Sequence, residues 1–116
     1  MLSDADLIIK MDEIMQALDK SIDDRLEAGV RRSNLDAEYQ ILRRKEMLRL
    51  KSEGVSVTLI DKFVAGIEDV AVAKQAKDNA EIIEDTIKER INALKLELRV
   101  LNDQAGREWS VRSSDY

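Results

Sequence analysis

The chain contains no cysteine, no histidine and no proline, and only 3% of it is aromatic. Without cysteine there is no thiolate nucleophile, no thiolate metal site and no disulfide. Without histidine there is no imidazole base, and zinc would have to be held by carboxylates alone, an uncommon arrangement. Lack of proline removes the strongest helix breaker, and four glycines leave few others. No apolar run approaches the roughly 18–20 residues of a membrane span. Asp4 and Asp6 precede a brief Leu7-Ile8-Ile9 run, where a signal peptide would be basic. These absences lead us to expect a soluble cytoplasmic protein with no cofactor, no metal and no membrane partner.

What is present favours helices. Leu, Ile, Ala, Lys, Arg and Glu dominate, with 44% of residues hydrophobic and 37% charged. That balance is too apolar for a disordered chain. At 116 residues there is room for one domain, expected over residues 1–109 with a frayed tail at 110–116. The net charge is −5, unevenly placed: residues 1–29 hold eight acids against Lys10, Lys20 and Arg25, while residues 30–53 hold seven bases against four acids. Overall acidity argues against non-specific DNA binding; the middle segment does not.

The segment from about Ile67 to Gly106 reads as one long amphipathic helix. Ile87, Ile91, Leu94, Leu98, Leu101 and Ala105 recur at alternating steps of four and three, the seam of a helix packed lengthwise on another. A helix of about 40 residues is about 60 Å long, against a radius of gyration of about 13 Å for a compact globule of this size. Before Ile87 the row Val70, Ala73, Ala76, Ala80, Ile83 contains a phase shift. Its small residues, with Ala71, would let another helix come close.

Toward the N-terminus, Ser3 followed by Asp4 and Asp6 is a helix start, and Leu7, Met11, Ile14, Leu18, Ile22, Leu26 and Val30 keep helical spacing. Gly29 and the polar Arg31-Arg32-Ser33-Asn34 stretch allow a break, with Ser33 or Asn34 capping a second helix striped by Leu35, Tyr39, Leu42, Met47 and Leu50. The alternative, slightly favoured, is one helix over residues 4–52 that tolerates Gly29 at about 1 kcal/mol. Gly54 is the firm boundary, suited to the left-handed conformation that ends a helix. Val55-Ser56-Val57 reads as an extended connector. Thr58 is the expected cap of a short helix over Leu59–Ala65, with Asp61 in its first turn and Gly66 as its stop.

Three constellations carry candidate chemistry. Arg43, Arg44, Lys45, Arg49 and Lys51 form a basic group that could lie along a phosphate backbone or contact a partner. The blander reading is a solvated helix face neutralised by Glu46 and Glu53. Glu81, Glu84 and Asp85 share a helix face, with Glu89 beyond, and carboxylates so placed can hold magnesium in a phosphohydrolase. The second acidic motif such an enzyme needs is missing, because Glu97 and Asp103 face different directions and Lys88 and Arg90 can neutralise the first. Methionines 11, 15 and 47 read as core filler or as adaptable contact surface. Trp109 is either an exposed interface anchor or a cap folded over the bundle end.

The central run Leu48-Arg49-Leu50-Lys51-Ser52-Glu53-Gly54-Val55-Ser56-Val57-Thr58-Leu59-Ile60 resembles the middle of small all-helical proteins of bacteriophages and prophages of Gram-positive bacteria. In those a helix ends at Glu-Gly, passes through Val-x-Val-Thr-Leu and leads after a glycine into a long charged helix. Gly66, Lys88–Leu101 and Arg107-Glu108-Trp109 extend the likeness over residues 35–109. The resemblance implies a phage protein acting inside an infected cell, in DNA replication or recombination or against host defence, and carries no catalytic motif. A second hairpin family, the Trp-x-Gly secretion partners, shares size and acidity, but its turn motif is absent: Trp109 is followed by Ser110-Val111.

The expected fold is all-α, an elongated antiparallel helical hairpin with a short helix in its connector. Two or more copies are expected to assemble into a four-helix-type bundle, with Ile87, Ile91, Leu94, Leu98 and Leu101 as the seam. The expected function is non-enzymatic: binding of a host or phage protein. Nucleic-acid binding through the basic group is the alternative, and a magnesium phosphohydrolase the weakest reading.

Overall fold

A computed structural model describes the backbone of residues 3–114 and the side chains of residues 3–110. Among the described residues there are three helices and no strand: α1 (Asp4–Ser52), α2 (Val57–Ala65) and α3 (Glu68–Ser114). The fold is an all-α helical hairpin, in which the two long helices pack against each other and α2 occupies the connector. Among the described residues no helix is long and apolar enough to cross a membrane.

The helix ends follow from local chemistry. At the start of α1, the Ser3 hydroxyl oxygen accepts the Asp6 amide at 3.1 Å, and the Asp6 carboxylate accepts the Ser3 amide and hydroxyl at 3.3 and 2.7 Å. This is a reciprocal capping box with aspartate in the usual place of glutamate. At the other end Gly54 adopts φ 86°. The Val55 amide there reaches back to the Leu50 carbonyl, and the Gly54 amide to that of Lys51, each at 3.1 Å. These two bonds define a Schellman ending. Between the caps α1 is one unbroken helix that passes through Gly29.

Two boundaries differ from expectation. α2 starts at Val57, not Leu59, and its cap is Ser56, not Thr58. The Ser56 carbonyl takes the Leu59 and Ile60 amides at 2.9 and 3.1 Å, while its hydroxyl pairs with that of Thr58 at 2.8 Å. Asp61 consequently lies beyond the first turn. α3 also runs past Gly106 to Ser114. A single glycine costs a helix only about 1 kcal/mol, and no proline follows to stop it. Of the tail expected at 110–116, Asp115 and Tyr116 lie outside the described residues.

The chain forms two compact units: one joins α1 up to Leu26 to α3 from Thr86, and the other comprises Glu27–Asp85. In the first unit Leu7, Ile14, Leu101 and Ala105 are buried together, with Met11, Leu94 and Leu98 packed against them. In the second, Ile60, Val64 and Val70 are buried beneath Tyr39, Leu42, Met47, Leu50, Val55 and Ile67.

The seam positions are not all apolar. On α1 the covered row is Leu7, Met11, Ile14, Leu18 and then Ser21; Ile22, Leu26 and Val30, expected on the same stripe, are exposed. On α3 the expected phase shift is absent. Val70, Ala73, Lys77, Ala80, Glu84, Ile87 and Ile91 step evenly by three and four and are all buried or half-buried, whereas Ile83 is exposed. Lys77 and Glu84 simply occupy seam places. Glu84, with 19% of its side chain exposed, is ion-paired to Arg32. Its carboxylate rests where Gly29 leaves room: a Cβ there would stand 3.5 Å from Glu84 Oε1.

That distance is ordinary contact, so Gly29→Ala fits and removes the backbone entropy that glycine loses in a helix. We expect a gain of about 0.5–1 kcal/mol. It is read as a rise of about 2–4 °C in Tm.

Candidate functional site

The basic group does not act as one patch. At about 100° of rotation per residue, Arg43, Arg44 and Lys45 point in three directions, while Arg44 and Lys51, seven apart, share a stripe. Two members are also engaged within the chain. Arg43 Nη2 donates to Asp61 Oδ1 at 3.2 Å. Arg49 is gripped by Glu46 at 2.7 Å and Glu53 at 3.0 Å, which raises its pKa, chiefly through the Glu46 bond. Arg44, Lys45 and Lys51 are left without an ion pair among the described residues.

Arg44 and Lys51 rim a groove of about 360 Å³ whose walls are Met47, Leu48, Val57 and Ile60, with Asp61 at one edge. The groove exists because α2 lies on the C-terminal part of α1 within the second unit. Its floor is apolar and its free charges are positive. It suits an apolar side chain carried between carboxylates.

α2 presents a second feature. Ile60 and Val64, four apart, face the core at 5% and 1% exposure, while Leu59 and Phe63, also four apart, point outward at 44% and 51%. They stand on the flank of α2 away from Val57 and Asp61, which line the groove. A leucine and the chain's one phenylalanine, side by side on a helix fixed from beneath, form a rigid apolar pair. Sequence reading missed it: the expected helix Leu59–Ala65 held both residues, but spacing alone does not say whether Ile60 and Val64 or Leu59 and Phe63 face inward. The signal was available: α2 is apolar at six of its nine residues, more than one buried face can use.

The other candidates separate. Glu84 turns into the seam toward Arg32, while Glu81, Asp85 and Glu89 are exposed. Among the described residues no group of three or more carboxylates comes together in a way that could hold a metal ion. Trp109 rides on α3, half exposed. Of the expected intermolecular seam, Leu94, Leu98 and Leu101 pack on Leu7, Met11 and Ile14 of the same chain, Ile91 is buried and Ile87 half-buried. Within the chain, α3 thus finds its lengthwise partner in α1.

Elsewhere in the second unit Lys77 Nζ lies 5.5 Å from the Tyr39 ring centre. Lys74 Nζ donates to Asp78 at 2.9 Å. That bond holds the Asp78 carboxyl below its ordinary range and the Lys74 amine above its own. Lys77 stands at a seam place, whereas the Lys74–Asp78 pair lies on the surface. No protein-family model, curated protein or solved structure matches this chain.

Proposed function

We propose that this is a non-enzymatic, phage-type helical protein that acts in the host cytoplasm by binding another protein, of host or phage origin. The observation that carries the reading is the outward Leu59–Phe63 pair on α2, held rigid by the buried Ile60 and Val64. Rigid exposed apolar pairs supply binding energy at little entropic cost. The phage assignment rests on the resemblance over residues 35–109, which includes α2. Blocking a host protein, a defence component among them, is a mode such a surface suits.

The nucleic-acid reading is weaker, because Arg43 and Arg49 are already paired with carboxylates of the chain. A tagged-protein pull-down from host lysate, with and without nuclease, separates the two. We expect a protein retained by the wild type after nuclease and lost from Phe63→Ser and Leu59→Ser. Retention that nuclease abolishes, and that Arg44→Glu weakens in a salt-dependent way, would transfer the assignment to nucleic acid.

A further inference from the structure

α1 carries an outer row of side chains beside its seam, and the two ends of that row are opposite in charge. In the N-terminal half it reads Ile8, Asp12, Met15, Asp19, Ile22, stepping four, three, four, three, and every member is exposed. In the C-terminal half it reads Ile41, Arg44, Leu48, Lys51, stepping three, four, three, again all exposed. Such steps keep each set on one stripe of the helix. Apolar residues therefore alternate with acids in one half and with bases in the other.

Run in opposite directions, the two sets interlock. A single register places Asp12 against Lys51, Met15 against Leu48, Asp19 against Arg44 and Ile22 against Ile41. It continues by placing Leu26 against Ala37. Because α1 is one unbroken helix, its two halves cannot fold onto each other within a chain. A second copy supplies the missing half, and the pairing is mutual, so each contact forms twice.

We propose that two copies of this chain associate through an antiparallel α1–α1 contact, with Met15 of each seated in the groove of the other. The groove of about 360 Å³ has Leu48 in its wall and Arg44 and Lys51 on its rim. Met15 has Asp12 and Asp19 on either side, three and four residues away, mirroring the spacing of Lys51 and Arg44 about Leu48. A flexible thioether suits an irregular apolar groove. Neither base makes an ion pair within the chain among the described residues, and Asp19 makes none either. Asp12 accepts one hydrogen bond, from Gln16 at 3.0 Å, and makes no ion pair among the described residues. The outward Leu59–Phe63 pair lies on the other flank of α2, so this contact leaves the proposed protein-binding surface open.

The test is charge exchange followed by light scattering and sedimentation equilibrium. Wild-type protein is expected to be dimeric at high micromolar concentration. Arg44→Glu/Lys51→Glu and Asp12→Lys/Asp19→Lys are each expected to weaken the dimer by about a hundredfold or more, because like charges then face each other. An equimolar mixture of the two variants is expected to recover a heterodimer, since every charged pair becomes opposite again. Helicity by circular dichroism confirms that each variant is folded. The chain's lack of cysteine permits a second readout: Met15→Cys/Leu48→Cys should form a disulfide-linked dimer on oxidation, and Met15→Cys/Ile41→Cys should not. A wild type that stays monomeric, reversed variants that stay dimeric, a mixture that stays monomeric, or absence of the cross-link would each overturn the proposal.

Discussion

Leu101→Ala should lower the free energy of unfolding by about 2–3 kcal/mol, the lower half of the range for buried leucine truncation. Leu101 is 8% exposed and packs in the first unit with Leu7, Ile14 and Ala105. Truncation removes three carbon atoms from that cluster and leaves a cavity. The size of the cost depends on how far the surroundings relax. Here the cluster is one seam between two helices, and Ala105 alongside adds little bulk. Partial closure of the helices and entry of water both soften the loss. The internal control is Leu96→Ala on the same helix. Leu96 is 57% exposed, so its truncation should shift stability by no more than about 0.5 kcal/mol. Urea unfolding reads both as midpoint shifts at unchanged slope. Equal shifts for the two variants would mean that the seam has been drawn on the wrong face of α3.

That seam was readable from sequence because each of its places from Ile87 to Ala105 (Ile87, Ile91, Leu94, Leu98, Leu101 and Ala105) is apolar. The capping chemistry at Ser3 and the stop at Gly54 were readable for the same reason: each rests on a local rule that no distant residue modifies. Elsewhere the pattern misled. Ile22 follows Leu18 by four residues and so continues its stripe on paper, yet it is Ser21, three residues on, that is buried. α1 has two apolar rows roughly 90° apart at 3.6 residues per turn, and counting hydrophobic residues merges them. On α3 the same habit chose Ile83 over Glu84. The preference for an ion-paired glutamate there depends on Arg32 and on the space at Gly29, both remote in sequence. The basic group met the same difficulty. Five bases in nine residues were visible, but the Arg43–Asp61 pair joins residues from different helices, and only the packing of α2 reveals which charges stay free. The polar seam places and the outer row are therefore linked: side chains that look as though they belong inside lie on the surface, where a second copy or a partner can use them.

Val64→Asp should have a larger effect than Leu101→Ala, about 3–5 kcal/mol, because it places an unpaired carboxylate where no water reaches. Val64 is 1% exposed, under Ile60, Val70 and the side chains of α1 that flank them. Aspartate is close to valine in volume, so the loss is electrostatic rather than a matter of cavity. Against a total stability of about 5–15 kcal/mol for an ordinary domain, such a loss can release α2 from α1 and α3. The pH dependence has a definite sign. Burial disfavours the charged form, so the folded-state pKa of the new carboxyl lies above its unfolded value. The penalty is complete above the folded pKa and shrinks as pH falls through it, because the group is then neutral in the folded protein. The variant should therefore lie closer to wild type in mild acid than at neutral pH, measured as the difference in urea midpoint. The same variant also tests how α2 functions. Leu59 and Phe63 are untouched by it, yet their rigid presentation depends on Val64 and Ile60 below them. Val64→Asp should thus lose both stability and partner retention, whereas Phe63→Ser should lose retention alone, since its side chain is already half in water. If Val64→Asp kept its partner at neutral pH while α2 was released, the pair would bind as a flexible segment, and the case for a preformed surface on α2 would fail.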